Sequence, residues 1–138
     1  MPSIVVDAGP LIALFDRGDR HHRRAVDFVR TTRSRLITNL PVVTEATFLL
    51  RFSIDAQHDL LHWVHRAVEI DQGTAADLPR IAANLSKYRD MPADFADASL
   101  VALAERLNLS RVASVDRDFA VYRALGKRAF ENVFLRDG

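Results

Sequence analysis

The stretch Ile4-Val5-Val6-Asp7-Ala8-Gly9-Pro10-Leu11-Ile12-Ala13-Leu14 decides how this chain folds. Ile4-Val5-Val6 is a β-branched run suited to a buried strand. Gly9-Pro10 then opens an apolar helix that continues to Phe15. Asp7 is the only charge from Met1 through Phe15, and it sits at the joint between the two. Repetition of that unit, a short apolar strand passing into a helix, marks an α/β domain with a largely parallel sheet.

The repetition is present along the chain. A helix is expected from Arg20 to about Thr32, with Ala25, Phe28 and Val29 at helical spacing, and a short strand at Leu36-Ile37-Thr38. Pro41 suits the first turn of a helix running to about Arg51. Ser53 can cap another that contains Leu60, Leu61, Val64 and Val68. Val68-Glu69-Ile70 reads as a third strand. Thr74 with Asp77 precedes a helix ending near Tyr88, although Pro79 allows a start two or three residues later. After the break at Met91-Pro92, Asp94 to about Leu107 is the clearest helix, with Ala96, Leu100, Leu103 and Leu107 along one stripe. Val112-Ala113-Ser114-Val115 is a fourth strand, followed by a short helix from Phe119 to Leu125. Val133-Phe134-Leu135 closes the sheet as a fifth strand.

A chain of 138 residues, 49% apolar and 27% charged, has the size and balance of one soluble globular domain spanning residues 1–138. No window approaches the roughly 18–20 apolar residues of a membrane span. Met1-Pro2-Ser3 lacks the basic start and long apolar core of a secretory signal, so a cytoplasmic location is expected. Cysteine is absent, which excludes disulfides, thiolate chemistry and cysteine-ligated zinc. The net charge of +1 does not announce a nucleic-acid binder. Between Arg17 and Arg35, however, seven arginines face only Asp19 and Asp27. That segment is either a solvated helix face or a phosphate-binding surface.

The acids that interrupt apolar stretches are the informative ones. Asp7 and Asp116 end strands. Glu45 is the only charge from Leu36 through Leu50, on a face with Val42, Ala46 and Leu49. Asp97 is flanked by Phe95, Ala96 and Ala98. An isolated carboxylate in such surroundings costs several kcal/mol or takes up a proton, so four of them call for a common cause. The carboxyl ends of parallel strands share one edge, where ligands bind. Glu45 and Asp97 are expected in the first turns of helices that start there. Converging carboxylates repel unless a cation compensates them, and oxygen donors without cysteine suit Mg²⁺ or Mn²⁺, one or two ions. Such a site suits phosphodiester cleavage by metal-activated water.

These residues resemble a PIN domain, and more closely the VapC-type toxins of toxin–antitoxin systems. The resemblance rests on residues 5–14, on Pro41-Val42-Val43-Thr44-Glu45-Ala46, on residues 94–106 and on Ser114-Val115-Asp116-Arg117-Asp118-Phe119. It covers nearly the whole chain in order. It implies a three-layer sandwich with a central, mostly parallel sheet, and a metal-dependent endoribonuclease acting on RNA. The family's acidic positions map onto Asp7, Glu45, Asp97 and Asp116. Asp94 is implied as a fifth metal ligand, and Asp118 as an acid supporting the site. Ser114 and Thr44 are the hydroxyls expected to hold ligands or water, though backbone could equally satisfy both. A homodimer and a small inhibitory antitoxin are also implied. In one departure, Ala8 stands where the family usually has Thr or Ser.

Arg20, Arg23 and Arg24 are expected near the metal edge, where they could hold RNA phosphates. His58, His62 and His65 share a helix face, but no acid there completes a metal site. Trp63, Phe48, Leu49 and Leu60 suit core packing, with a dimer or antitoxin surface as the other use. A 5′-nuclease would need a helical region this chain lacks. A receiver domain would need a second acid beside Asp7 and a lysine after the last strand, where Lys127 fits no strand pattern. A haloacid-dehalogenase phosphatase would need Asp-x-Asp. The alternative that remains is a PIN scaffold that binds RNA or a protein without cutting.

Overall fold

The computed structural model describes residues 2–120, 122–124 and 128–136. Its centre is a parallel sheet built from β1 (Ser3–Val6), β2 (Arg35–Asn39), β3 (Glu69–Asp71), β4 (Arg111–Ala113) and a C-terminal strand (Glu131–Asn132). A hairpin of two antiparallel strands, β5 (Arg123–Ala124) and β6 (Arg128–Ala129), precedes that last strand, which is therefore β7. Across the sheet the order is β3-β2-β1-β4-β7. The chain builds outward from β1 on one side, then crosses to the other. The reversal of strand order falls between β1 and β4, and the carboxyl edge there is where ligands settle in open α/β sheets.

The helices are α1 (Ala8–Phe15), α2 (His22–Thr31), α3 (Leu40–Leu49), α4 (Ile54–Ala67), α5 (Leu78–Lys87) and α6 (Phe95–Leu107). Their starts follow from local chemistry. Ser53 accepts the Ala56 N–H at 3.1 Å, capping α4. Asn39 does the same for Val42 in α3, with Pro41 in the first turn, where its missing N–H costs nothing. Asp94 and Asp97 form a reciprocal capping box on α6. At α5 the start falls late, at Leu78, and Asp77 holds the cap position without a capping bond of its own. Its carboxylate is taken by Arg106, which also pairs with Asp71 and so clamps β3 and α5 to α6.

Three expectations need correction. The stripe on α6 becomes a helix buried almost all round: Ala96 and every residue from Ala98 through Glu105 are covered, while Leu107 is 39% exposed. Alanines and Ser99 let neighbours approach closely, and α5 covers the far side through Ile81 against Ala98 and Ala102. Residues 133–135 form a turn, because the Asn132 side chain accepts the N–H groups of Phe134 and Leu135; the strand is Glu131–Asn132 instead. The segment after β4 is a single 3₁₀ turn (Arg117–Ala120) that passes on to the hairpin. Lys127 lies outside the described residues. No helix among those described is long and apolar enough to cross a membrane.

Candidate active site

Asp7 follows β1 directly and caps α1, its Oδ1 accepting the Ala8 N–H at 2.8 Å. Its own N–H donates to Ala113 O at 2.9 Å, so the β1–β4 pairing continues to the residue itself. Oδ2 accepts the Ser114 hydroxyl at 2.8 Å. The Ser114 oxygen in turn accepts the Asp116 N–H at 2.9 Å. One buried hydroxyl therefore ties the acid after β1 to the acid after β4.

Asn39 and Ser99 place the other two acids. The Asn39 amide donates to Ser99 Oγ at 3.1 Å, joining the start of α3 to the first turns of α6. Glu45 lies in the second turn of α3, one turn further along than expected, and is half-buried. Asp97 lies in the first turn of α6, its Oδ2 accepting the Asp94 N–H at 3.2 Å while Asp94 accepts the Asp97 N–H at 2.9 Å.

The carboxylates sense one another. Burial pushes the Asp7 carboxyl up against the pull of its two hydrogen bonds, and the charges of Asp116 and Asp94 push it further. Glu45 is raised to about 7, first by burial and then by Asp94 and Asp7. Asp97 is raised to about 8, again chiefly by burial, with Asp7 the largest charge acting on it. Five acids from four segments thus share one electrostatic field at the carboxyl edge of β1 and β4. Hard oxygen donors that repel one another suit a divalent cation in kind and in charge. In placement they are not a finished ligand set. Among the described residues no three His, Cys, Asp or Glu side chains stand together as one. Asp94 and Asp97 are instead occupied by their capping bonds, and Asp7 by Ala8 and Ser114.

Other expected residues lie elsewhere. The Thr44 hydroxyl is exposed and donates back to Leu40 O at 2.8 Å, the local satisfaction open to any helical threonine. The Asp118 side chain is outside what the structure describes. Arg20, Arg23 and Arg24, expected near the metal edge, line a cleft with Ile4, Ser34 and Arg111 at the amino ends of β1, β2 and β4. His58, His62 and His65 are exposed on α4. Leu60 is buried and Trp63 packs on Phe15, whereas Phe48 and Leu49 stay exposed, so the four residues divide between core and surface.

Two residues escaped the sequence. Asn132 accepts the Ser114 N–H at 3.3 Å and donates to Ser114 O at 3.0 Å, fixing the backbone of the linking serine. No local pattern announces a partner 18 positions away. Asn39, by contrast, stands just before Leu40-Pro41, which is a helix-start signal.

A family model described as PIN domain matches residues 4–125. Ribonuclease VapC26 of Mycobacterium tuberculosis is 28% identical over 131 residues, covering 92% of this chain and 97% of that protein. Among solved structures, Mycobacterium tuberculosis VapC20, a sarcin–ricin loop cleaving toxin, aligns with a TM-score of 0.79 at 22% identity, over 91% of this chain and 98% of the other. DNA-bound VapBC from Salmonella typhimurium aligns with a TM-score of 0.59 at 20% identity, over 96% and 98%.

Proposed function

The chain belongs to the PIN-domain family, and from that footing we propose that it is a VapC-type endoribonuclease toxin that hydrolyses RNA phosphodiester bonds with Mg²⁺ or Mn²⁺. The observation that carries the reading is the convergence of Asp7, Glu45, Asp94, Asp97 and Asp116 on one sheet edge, where burial first and their mutual charge second raise three of the carboxyls. A relative named as a ribonuclease, alike along almost its full length, supports it.

Asp7, Glu45, Asp97 and Asp116, with Asp94 beside them, would hold the cation. Bound there, it supplies the positive charge that brings the pKa of water toward neutrality and offsets charge on the phosphate. The protein's own part is to keep its acids ionised and aimed. Ser114 donates to Asp7 and so favours its charged form against burial. It also anchors the backbone of Asp116. No covalent nucleophile is required.

The same reading assigns a homodimer and a small antitoxin that covers the acids. An open apolar cleft of about 630 Å³ beside Glu45, lined by Leu40, Phe48 and Phe95, gives such a partner a surface to bury. Leu40 and Phe48 are each 59% exposed.

Purified protein incubated with total cellular RNA and Mn²⁺ tests the function, alongside EDTA and the Asp97→Asn variant. Discrete cuts that need the metal and vanish in the variant are expected. Intact RNA in the presence of folded, partner-free protein would replace the nuclease with a binding scaffold.

A further inference from the structure

On the edge of the sheet opposite the acids lies a cleft of about 900 Å³, between the start of α2, the turn into β2, the start of β4 and the C-terminal turn. Arg20, Arg23, Arg24, Arg33, Arg111 and Arg136 line it, and among the described residues the single acid in its lining is Asp27. Some of this charge is already engaged. Arg24 donates to Phe134 O at 3.0 Å, Arg111 to Ser34 Oγ at 3.1 Å, and Arg136 lies 3.7 Å from Glu131. Arg20, Arg23 and Arg33 are exposed, and no hydrogen bond or ion pair joins them to another described residue. Three guanidiniums that no described residue pairs line one cavity, and the packing of the fold does not explain them.

We propose that this cleft is a second polyphosphate-binding tract that grips single-stranded RNA by its backbone, remote from the acids. It rests on the reading of the chain as an RNA-acting protein. Guanidinium forks match phosphate oxygens in pairs, and the gain comes from released counterions without regard to sequence. An acidic peptide is the other polyanion of the right charge, but peptide docking draws its affinity from apolar anchors in pockets. Here most of the apolar lining is recessed: Ile4, Val133 and Phe134 are buried, and Phe28 is half-buried. Ile4 in β1 and Asp7 just beyond it are three positions apart, about 10 Å along the strand direction. Because β1 is buried, an RNA strand that reaches both the cleft and the acids would pass over the surface of the domain and be longer than that span. The tract selects for length of RNA and leaves the choice of cut to the other edge.

The test reads binding without cleavage. Fluorescence anisotropy of a labelled 20-nucleotide single-stranded RNA is measured in EDTA over a salt series. The proteins compared are the wild type, an Arg20→Gln/Arg23→Gln/Arg33→Gln variant, and a charge-matched Arg66→Gln/Lys87→Gln/Arg89→Gln control. Three lost phosphate contacts should reduce the slope of log K against log salt by about 2 and weaken Kd at least ~10-fold at 0.1 M salt, with the control keeping the wild-type slope. A wild type that does not bind RNA, a cleft variant with wild-type slope and Kd, or a control that loses as much overturns the proposal. A cleft variant that binds RNA normally but loses a labelled polyglutamate peptide gives the cleft to an acidic protein instead. RNA bound here by a protein that never cuts removes the nuclease and keeps the tract. Cleavage of a long RNA with the same KM in wild type and cleft variant keeps the nuclease and removes the tract.

Discussion

The Ser114 hydroxyl donates to Asp7 Oδ2 at 2.8 Å across 107 residues of sequence, inside the protein, at the junction of β1 and β4. Ser114 is fully buried and Asp7 nearly so. The bond counters the burial that raises the Asp7 carboxyl.

Ser114→Ala leaves a buried carboxylate oxygen and the Asp116 N–H without this partner. Losing a hydrogen bond to a charged buried group costs about 1–3 kcal/mol. We expect a lower urea midpoint at unchanged m-value, and Mn²⁺ affinity reduced by about 10-fold or more, the usual effect of removing a group that orients a metal ligand. Ser114→Thr should restore most of both. Calorimetric titration with Mn²⁺ and urea unfolding in EDTA measure the two effects separately.

Without metal, stability should fall as pH rises. Asp97 moves from an ordinary 3.8 to about 8 on folding, and Glu45 from 4.5 to about 7. The native state thus holds protons that the unfolded chain has released, and stability declines wherever that is so. The contribution is fully present below about pH 4 and disappears between there and pH 8. Urea midpoints in EDTA at pH 5, 6, 7 and 8 should descend, and saturating Mn²⁺ should reverse the trend. Asp97→Asn should flatten much of the descent, because the amide does not titrate, while its carbonyl oxygen can still accept the Asp94 N–H and keep the cap. A metal-free midpoint that rises across this range would contradict the burial and mutual repulsion assigned to these acids.

Gly9→Ala tests how tightly α1 is set against the end of β4. A Cβ at position 9 runs into the Val115 side chain, next to Asp116. Alanine gains up to about 1 kcal/mol in helix propensity, while overpacking a core costs about 1–3 kcal/mol. The clash wins, so a net loss of roughly 1 kcal/mol is expected, with cleavage falling as Val115 pushes on Asp116. A Val115→Ala partner mutation should recover stability, and the double-mutant cycle should return a coupling of opposite sign to the single loss.

Asn39→Ala should cost about 2 kcal/mol. It removes an N-cap, the acceptor of the buried Val42 N–H, worth about 1 kcal/mol, and the donor to the buried Ser99 oxygen, worth about as much again. Because Asn39 couples α3 to α6, the loss should also lower activity by loosening Glu45 relative to Asp97. Thermal unfolding and cleavage rate measured on the same preparation would show both. Activity at the wild-type level in a clearly destabilised variant would show that the α3–α6 link does not position the acids.

The sequence by itself determined the features whose causes are local. Ile4-Val5-Val6 followed by Asp7 specified a strand and its helix cap. Asp7, Glu45, Asp97 and Asp116 stood out because each interrupts an apolar run. Spacing, capping and burial act within a few residues, so they can be read along the chain. Tertiary structure alone decided where long-range partners meet. It placed Arg20, Arg23 and Arg24 on the edge of the sheet away from the acids, since α2 packs beside the amino ends of the strands. It turned Phe134 and Leu135 away from the sheet through the Asn132 side-chain carbonyl, and it set Asn132 against Ser114. It buried the middle of α6 from Ala98 through Glu105 with α5 laid over its far side, and left Phe48 in solvent where an apolar pattern suggests core. Each of these depends on a hydrogen bond or a packed face from a distant segment, and no run of neighbouring residues encodes which segment that will be.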